Sequence, residues 1–254
     1  MIRIILIGCN GRMGQAMTAR IKEEDNMDIV AGMDMDQDAV NGYPVHGNFY
    51  AITETADVVV DFSHMSLTPA LLEFCLEKKL PLVLCTTGIA GELEDKVIEA
   101  AKEIPLFRSF NMSLGVSLLQ ALVRQAARVL GNTYDIEIIE KHHNKKVDAP
   151  SGTAIMIAQA AASALTFEPQ HTYDRTKEHK QRERHEIGVH SIRGGTIVGE
   201  HEAMFIGPYE VLTISHSAES RDLFANGAIK AIEFLLDDPQ PGLYNMDDLV
   251  QSLS

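Results

Sequence analysis

The segment Ile2-Arg3-Ile4-Ile5-Leu6-Ile7-Gly8-Cys9-Asn10-Gly11-Arg12-Met13-Gly14 sets the fold of the first part of the chain. Its mostly apolar beginning, Ile2–Ile7, predicts a buried strand, and a helical pattern follows over Gln15–Glu23. Three glycines join the two elements with the spacing G-x-x-G-x-x-G. Such glycines permit a tight turn, let the backbone approach a pyrophosphate and bring the helix close to the strand. The segment predicts a Rossmann-type dinucleotide site; the alternative is a glycine-tight turn without a ligand.

The residues after the second predicted strand bear on which cofactor binds. The strand Met27–Met33 ends at Asp34, about twenty residues beyond the last glycine, where a dinucleotide fold places its ribose-binding carboxylate. NADP sites usually hold a cation beside the 2′-phosphate, whereas this chain continues with Met35 and Asp36. Two carboxylates repel that phosphate, so we predict a preference for NADH. Use of NADPH stays open, because the phosphate could contact Arg12.

Strands and helices alternate over the next part of the chain, which predicts a parallel, doubly wound α/β sheet. Predicted strands cover residues 58–62, 82–85 and 106–110, predicted helices cover 70–78 and 93–102, and 41–55 is predicted to be a loop with room for a short helix. The turn Thr86-Thr87-Gly88 follows the carboxyl end of a strand, so we expect it to line the nicotinamide pocket. His64 is interpreted as a surface residue.

The pattern changes after Asn111-Met112-Ser113, which caps a long apolar helix over Val116–Leu130. We place a domain boundary here. Further on, strands follow one another at Glu186–Ser191, Thr196–Ile206 and Glu210–Ser215, joined by glycine-containing turns. Strands segregated from helices indicate an α+β domain with a mainly antiparallel sheet. A sheet face that its own helices leave uncovered favours oligomerisation.

The stretch Glu140–Ala154 reads Glu-Lys-His-His-Asn-Lys-Lys-Val-Asp-Ala-Pro-Ser-Gly-Thr-Ala and is our candidate active site. It follows a predicted strand, Tyr134–Ile139, and precedes a predicted helix, Ile155–Leu165. Backbone N–H groups at the start of a helix bind carboxylate or phosphate. Histidine titrates near neutral pH, and a neighbouring lysine can hold a substrate anion. The alternative is a solvated charged loop.

Composition limits the class of protein. The formal net charge is −14 over 254 residues, which argues against nucleic acid and anionic membrane surfaces as partners. With no leader pattern and no apolar run of about eighteen residues, we expect a cytoplasmic protein. Cys9, Cys75 and Cys85 lack CxxC or metal-ligand spacing, so we predict reduced thiols and no metal site. The charged segment Asp174–His185 is predicted to be a loop, either idle or closing over a substrate.

These motifs together resemble the dihydrodipicolinate reductase family, also called 4-hydroxy-tetrahydrodipicolinate reductase, essentially from end to end. The string H-H-x-x-K-x-D-A-P-S-G-T, from His142 to Thr153, is the most specific. The other matching segments are Gly8–Gly14, Asp61–Ser63, Thr86–Gly88, Asn111–Val116, Gly199–Phe205 and Phe224–Ala228. The resemblance implies reduction of a cyclic imine dicarboxylate by NADH or NADPH to tetrahydrodipicolinate, in lysine and diaminopimelate synthesis.

The resemblance also implies roles for single residues. His142 would be the acid/base residue, and Lys146 would assist it while holding a substrate carboxylate. The remaining substrate contacts would come from His143, Ser151, Gly152 and Thr153. The cofactor would contact Gly8, Gly11, Arg12, Met13, Gly14, Asp34, Thr86, Thr87, Gly88 and Asn111. The family forms homotetramers through the sheet of its second domain, and its last segment returns to the first domain. The implied domains are 1–112 with 217–254 for the dinucleotide, and 113–216 for substrate and oligomerisation.

Two departures from the family pattern are visible. Cys85 stands where the family commonly has glycine before Thr-Thr-Gly, and Met35 and Asp36 stand where it commonly has basic residues. We interpret Cys85 as an inert thiol rather than a catalytic one. Two other functions remain open: a different NAD(P)-dependent imine or amino-acid dehydrogenase, and a dinucleotide-sensing binding protein. The second has no use for the loop with His142, His143 and Lys146.

Overall fold

The computed structural model describes residues 1–37, 41–176, 179–238 and 240–253. The chain folds into two compact units, one formed by Met1–Ser113 with Asp222–Ser254 and the other by Leu114–Arg221. The sequence-based domain boundaries lie between residues 112 and 113 and between residues 216 and 217. Each unit is described by itself below.

The first unit is built on a seven-stranded sheet with the strand order β12-β6-β5-β4-β1-β2-β3. Its strands are β1 (Ile2–Ile7), β2 (Met27–Met33), β3 (Val45–His46), β4 (Val58–Asp61), β5 (Leu82–Leu84), β6 (Pro105–Arg108) and β12 (Gly242–Tyr244). Its helices are α1 (Arg12–Ile21), α2 (Thr68–Lys78), α3 (Glu92–Ala100), α6 (Leu223–Asp237) and α7 (Met246–Ser252). Every strand pair is parallel. The alternation of apolar strands with helices therefore gives the α/β sheet that the sequence predicted.

The central strands of this sheet are apolar because both of their faces are covered. Every residue of β4 is buried, and β1 is buried from Ile4 onward. Such continuous apolar runs are typical of parallel strands between helix layers. Apolar side chains of α2 and α3, among them Leu71 and Val97, join the same core cluster as the strands. Burial of these strands fixes where their carboxyl ends, and the loops that follow them, are held.

Several element boundaries differ from the sequence-based ones. Helix α1 begins at Arg12 rather than Gln15, because Gly11 takes the extended backbone conformation of an N-cap. Residues 41–55 contain the short strand β3 and one turn of 3₁₀ helix, Phe49–Ala51. Strand β12 was not predicted, since three residues carry no readable period. The sequence also predicts a helix that runs through Leu236 and is ended by Pro239–Gly242; Pro239 lies outside the described residues.

The second unit is built on a five-stranded sheet with the order β11-β10-β7-β9-β8. Its strands are β7 (Asp135–His142), β8 (Gln170–Thr172), β9 (Glu186–Arg193), β10 (Gly199–Ile206) and β11 (Val211–Ala218). Its helices are α4 (Leu114–Leu130) and α5 (Gly152–Ala162). Both helices contribute to one core cluster with the sheet, in which Val123 and Ile157 pack with Ile138. This face is called the inner face.

The second sheet is mixed rather than mainly antiparallel. Strand β10 pairs antiparallel with β11 and β7, whereas β9 pairs parallel with β7 and with β8. The sequence placed β9 and β10 as neighbours joined by the turn Arg193-Gly194-Gly195. Strand β7 lies between them instead, and this order was not visible because the antiparallel prediction used only the local succession of strands.

The other face of this sheet, called the outer face, carries charged pairs and exposed apolar side chains. Lys141 bridges Glu200 and Glu202 at 3.0 and 2.9 Å. Ile192 and Val211 are 48% and 52% exposed. Side chains alternate along β7 between buried and half-buried positions, so one strand serves both faces. No helix among the described residues is long and apolar enough to cross a membrane.

The predicted loop Asp174–His185 is tied to the sheet by two arginines. Arg175 contacts Glu186 at 2.5 Å and Glu137 at 2.8 Å, and Arg182 contacts Asp135 at 2.8 Å and Glu137 at 3.0 Å. Two residues of this prediction, Lys177 and Glu178, lie outside the described residues. The described part of the loop is therefore anchored at two points.

Candidate active site

Strand β7 places Glu140 and His142 on the inner face of the second unit's sheet. The sequence ended this strand at Ile139, but it continues through His142, because that residue still pairs with Arg193 on β9. The inward-facing side chains of β7 are therefore apolar at Ile136 and Ile138 and ionisable at Glu140 and His142. Both ionisable side chains are buried, with Glu140 fully enclosed and His142 9% exposed.

The Glu140 carboxylate accepts hydrogen bonds on both of its oxygens. One oxygen accepts from Nδ1 of His142 at 2.6 Å and from Nη1 of Arg193 at 2.8 Å. The other accepts from Nη2 of Arg193 at 2.7 Å and from the backbone N–H of Ser151 at 3.1 Å. Burial alone would raise the pKa of this carboxyl, but the hydrogen bonds from Arg193, His142, the Ser191 side chain and the Ser151 backbone outweigh it and hold the pKa at about 2. Glu140 is therefore a carboxylate at neutral pH.

Ser151 begins α5 and links it to a second histidine. Its Oγ accepts from the N–H of Ala154 at 3.1 Å, which makes it the helix N-cap, and lies 3.1 Å from Nε2 of His201. Burial lowers the pKa of His201 to about 4, and the neighbouring His142 adds to the effect. The rings of His142 and His201 lie 5.2 Å apart, edge to face. His201 is therefore neutral near pH 7 and packs against the ring of His142.

The rest of the predicted substrate loop surrounds this core. Lys146 pairs with Asp148 at 2.8 Å, and its side chain is 21% exposed. Nδ1 of His143 is buried without a hydrogen-bond partner among the described residues. Gly152 and Thr153 form the first turn of α5, which the sequence started only at Ile155. Gly152 and Thr153 thus belong to the helix N-terminus that Ser151 caps.

Gly199 on β10 leaves room beside the His142 ring. A Cβ atom at this position would lie 3.1 Å from Nε2 of His142. That nitrogen has no hydrogen-bond partner in the described part of the chain, and it is not among the enclosed unpartnered atoms. One ring nitrogen of His142 is therefore held by Glu140, while the other is reachable.

In the first unit, the glycine loop forms a cradle that side chains would fill. A Cβ at Gly14 would lie 2.2 Å from the carbonyl oxygen of Gly8, so α1 and β1 approach as closely as glycine allows. Gly8 adopts φ +75, the left-handed region that favours glycine. Gly11 caps α1 without a side-chain hydrogen bond. Helix α1 thus offers its first N–H groups to an anion, as pyrophosphate binding requires.

Asp34 lies beside this cradle. Its carboxylate accepts from the backbone N–H of Asn10 at 3.0 Å and from that of Asp36 at 3.2 Å. Met35 projects into solvent and is 80% exposed. Arg12 is exposed at the start of α1, with Met13 partly buried behind it. These residues fit the adenosine end of a dinucleotide.

The Thr86-Thr87-Gly88 turn divides into an anchored part and an open part. Thr86 is buried and donates its hydroxyl to the enclosed carboxylate of Asp61 at 2.6 Å, while Thr87 and Gly88 are exposed. Burial raises the pKa of Asp61. Arg108 holds the far end of the turn by donating to the carbonyl of Ile89 at 2.9 Å. Thr86 is thus part of the support for this turn.

Two further predicted positions have local partners. The side-chain oxygen of Asn111 accepts from the N–H of Ser113 at 2.9 Å, just before α4 begins. Cys85 is buried, and burial together with the nearby Asp61 raises the pKa of its thiol. A thiolate is therefore disfavoured there. Among residues 1–37, 41–176, 179–238 and 240–253, no cluster of His, Cys, Asp or Glu has the arrangement of a metal site.

Residues of these networks that were not given roles from the sequence include Asp61, Glu140, Arg193, Gly199 and His201. Arg193 was interpreted only as a turn residue, because 53 positions separate it from Glu140. Asp61, Gly199 and His201 lie in segments that carry the family resemblance, which was the available signal. Their contacts arise from strand pairing across the sheets, which no local pattern encodes.

Comparison with known proteins agrees with both units. The sequence model described as "Dihydrodipicolinate reductase, N-terminus" matches residues 2–112, and "Dihydrodipicolinate reductase, C-terminus" matches residues 115–250. The chain belongs to the dihydrodipicolinate reductase family. This confirms the family resemblance seen in the sequence.

Individual relatives of the dihydrodipicolinate reductase family match over nearly their whole length. The chain is 49% identical to the 4-hydroxy-tetrahydrodipicolinate reductase of Caldanaerobacter subterraneus subsp. tengcongensis, covering 99% of each chain. It is 44% identical to the enzyme of that name from Clostridium tetani, covering 99% of this chain and 98% of the other. A solved structure, the dipicolinate-bound dihydrodipicolinate reductase from Paenisporosarcina sp. TG-14, superimposes with a TM-score of 0.83 at 26% identity, covering 98% of this chain and 99% of that one. The protein is thus an oxidoreductase of the nicotinamide-dependent type.

Proposed function

We propose that this protein reduces the cyclic imine dicarboxylate 4-hydroxy-tetrahydrodipicolinate, or the dihydrodipicolinate formed from it, to tetrahydrodipicolinate in lysine and diaminopimelate synthesis. The observation that carries the proposal is the His142 ring. Glu140 binds its Nδ1 at 2.6 Å, its Nε2 is reachable beside Gly199, and the network of Glu140 also includes the first residue before α5. A positioned proton donor next to a helix N-terminus suits an anionic substrate that must gain one proton.

The second unit supplies the substrate groups in this proposal. His142 is the acid/base residue, and Lys146 holds a substrate carboxylate in exchange for Asp148, with which it now pairs at 2.8 Å. Gly152 and Thr153 bind the other carboxylate through the N-terminus of α5. Ser151 acts by capping that helix, and the unpartnered Nδ1 of His143 turns to the substrate ring. A dianion is thereby held at both ends.

The first unit binds the nicotinamide cofactor, which supplies a hydride when bound. Gly8, Gly11, Gly14, Arg12 and Met13 hold the pyrophosphate. Asp34 accepts from the ribose hydroxyls, and Thr87, Gly88 and Asn111 face the nicotinamide end, with Thr86 supporting the turn from behind. Asp34, the exposed Met35 and Asp36 place no positive charge where a 2′-phosphate would lie, so NADH is preferred to NADPH.

The outer face of the second sheet is the proposed oligomer interface, giving a homotetramer. Exposed apolar side chains there, Ile192 and Val211, alternate with charged pairs that can exchange partners between copies. An interface of this kind is more polar than a protein core but still removes apolar surface from water. Light scattering at several concentrations tests the assembly.

The function is tested by oxidation of NADH and of NADPH, each with freshly generated 4-hydroxy-tetrahydrodipicolinate. Substrate-dependent loss of NADH absorbance, with a higher kcat/KM than for NADPH, is expected. Turnover with a monocarboxylate imine and none with the dicarboxylate would make it a different imine dehydrogenase. Dinucleotide binding without turnover of any imine would leave a sensing protein and contradict the proposal.

A further inference from the structure

The Glu140 carboxylate joins three parts of the second unit at one buried point. It accepts hydrogen bonds from Nδ1 of His142 on its own strand, from both terminal nitrogens of Arg193 on β9, and from the N–H of Ser151 at the start of α5. The two Arg193 contacts, 2.8 and 2.7 Å, form a bidentate pair, which fixes the plane of the carboxylate. Because the Glu140 carboxylate is held by contacts from three elements, its position fixes the orientation of the His142 ring.

The ionisation state of Glu140 decides which His142 nitrogen carries a proton. With a pKa of about 2, this group is a carboxylate at neutral pH and can only accept hydrogen bonds. Nδ1 of His142, 2.6 Å away, must therefore be the protonated nitrogen in the neutral ring. The nitrogen left for proton exchange is Nε2, which is the reachable one.

We infer that Glu140 and Arg193 are positioning residues for His142: the carboxylate fixes the ring through Nδ1–H, and the guanidinium fixes the carboxylate. The inference rests on the proposed function, because it gives His142 its acid/base role. Neither Glu140 nor the bidentate nitrogens of Arg193 contact substrate in it; both act through the histidine ring.

The proton step is then defined at the atoms. The ring that reacts is the conjugated dihydrodipicolinate, which the 4-hydroxy compound gives by losing water. Once this ring has accepted the hydride that the nicotinamide cofactor supplies, an electron pair on a neighbouring ring carbon takes the proton from Nε2 of the His142 imidazolium. A C–H bond forms and the Nε2–H bond breaks, while the Nδ1–H bond to Glu140 remains. The ring ends as the neutral tautomer that the carboxylate favours, and solvent returns the proton to Nε2.

Arg193 also connects this step to substrate binding. Its Nη2 donates to the carbonyl of Asp148 at 2.7 Å, in the loop where Asp148 pairs with Lys146. The Ser151 contact fixes the start of α5 to the same carboxylate. The ion pair of Glu140 with Arg193 thereby sets the distance between the proton donor and both proposed carboxylate-binding positions. A shift of about 1 Å in such an arrangement can cost on the order of 100-fold in rate.

Charged and titratable side chains face this pair from three strands and from the loop after β7. Arg193 comes from β9, His201 from β10 and His216 from β11, and Lys146 comes from the loop. Burial lowers the pKa of both His201 and His216, so neither adds a positive charge near pH 7. The Asp148 carboxylate pairs with Lys146 in the same loop, so removing the charge of Glu140 would remove the carboxylate that contacts His142.

The decisive variant is Glu140→Gln in the full-length protein. An amide keeps the size but not the charge, so it no longer selects the Nδ1–H tautomer or stabilises an imidazolium. We expect kcat to fall by about 100- to 1000-fold, with NADH affinity unchanged, and the alkaline limb of the kcat profile to move to lower pH. Arg193→Lys keeps the charge but not the bidentate contact, so a smaller loss, about tenfold, is expected.

Glu137→Gln is the matched control. Glu137 lies on the same strand, faces the outer side, and is likewise held by arginine and histidine, at 3.0 Å from Arg182 and 2.7 Å from His190. A loss of strand stability would affect both glutamate variants alike, so only a positioning role moves the pH profile with Glu140→Gln alone. An unchanged profile with kcat within about twofold of the parent, or equal effects of the two variants, would overturn the inference.

A second readout does not depend on turnover. Nitrogen-15 NMR of histidine-labelled protein, assigned with His142→Gln, reports which ring nitrogen carries the proton. We expect Nδ1–H in the parent and in Glu137→Gln, and a mixture or the Nε2–H form in Glu140→Gln. A neutral His142 protonated at Nε2 in the parent would refute the positioning role, even if the reductase activity is confirmed. The expected tautomer in a protein without reductase activity would instead refute the proposed function alone.

Discussion

Gly199 and His142 approach so closely that a Cβ on the glycine would lie 3.1 Å from Nε2 of the histidine. Gly199→Ala therefore crowds the nitrogen that the proposed mechanism uses, and the ring cannot move aside, because Glu140 holds it at 2.6 Å. We expect kcat to fall by about 10- to 100-fold with little change in stability. Gly194→Ala is the control, since a Cβ there meets nothing within 4 Å. Equal activities for the two alanine variants would show that the space beside Nε2 is not used.

Substitutions of the two adjacent histidines, His142 and His143, are expected to change different kinetic constants. His142→Gln removes the proton donor, so kcat should fall by about 10²- to 10⁴-fold while NADH binding persists. His143→Gln removes a substrate contact, so KM should rise more than kcat falls. Steady-state kinetics with both variants checks this, with the exposed His179→Gln as a control that keeps parental values. Unchanged turnover in His142→Gln would remove that residue from the mechanism.

Cofactor choice is expected to respond to one exposed position. Met35→Arg places a cation next to Asp34 without disturbing the contacts of that carboxylate with Asn10 and Asp36. A charge-assisted contact to the 2′-phosphate, discounted for exposure to about 1.4 kcal/mol, would raise kcat/KM for NADPH by about tenfold relative to NADH. Tyr50→Arg adds the same charge at another exposed position and should leave the ratio alone. A parent protein that already prefers NADPH would contradict our interpretation of this segment.

The neighbouring threonines Thr86 and Thr87 are expected to separate stability from cofactor binding. Thr86→Val leaves the buried Asp61 carboxylate without its 2.6 Å hydroxyl donor, which should lower the free energy of unfolding by about 1–3 kcal/mol. Thr87→Val, at an exposed position, should leave stability unchanged and weaken NADH binding. Urea denaturation and a dinucleotide titration, run on both variants, measure the two effects. A stable Thr86→Val protein with weakened NADH binding would reverse the assignment.

The stability of the protein is expected to fall on the acid side partly because of His201. Its pKa in the folded protein is about 4, below the ordinary histidine value of 6.5, so between these values the unfolded chain binds the proton more readily. This contribution is fully present above pH 6.5 and is lost as the pH falls to about 4, up to about 3 kcal/mol. His201→Gln should flatten that loss in chemical denaturation at several pH values, whereas His179→Gln should not. The depressed carboxyl pKa of Glu140, about 2, adds a further loss below about pH 4.5.

The glycine cradle was predictable because everything it needs is local. The strand, the turn and the helix follow one another within Ile2–Gly14 and the residues just after it, and the period changes where the fold changes. The carboxylate at Asp34 is found by distance along the chain alone. Such features depend on backbone geometry, which sequence periodicity reports directly.

The candidate site of the second unit was predictable as a list of residues but not as an arrangement. The histidines and lysines of Glu140–Ala154 were identified, yet the strand was ended too early because charged residues hide a strand that is buried on one face. The partner of Glu140 lies on β9, and β9 neighbours β7 only because the sheet is mixed. Strand order is decided by packing over the whole sheet, so Arg193 and His201 had no local signal.

The last stretch of the first unit has a consequence for how the protein is made. Strand β12 pairs with β6, and α6 packs through Gly227, where a Cβ would collide with the carbonyl of Met112. On the ribosome, Met1–Ser113 emerges long before these elements, whereas Leu114–Arg221 is complete as soon as it has been synthesised. Residues 1–113 therefore keep one sheet edge unpaired until residues 222–254 have been translated. We expect residues 1–113 expressed alone to keep this sheet edge unpaired, so that chaperones and proteases can bind it.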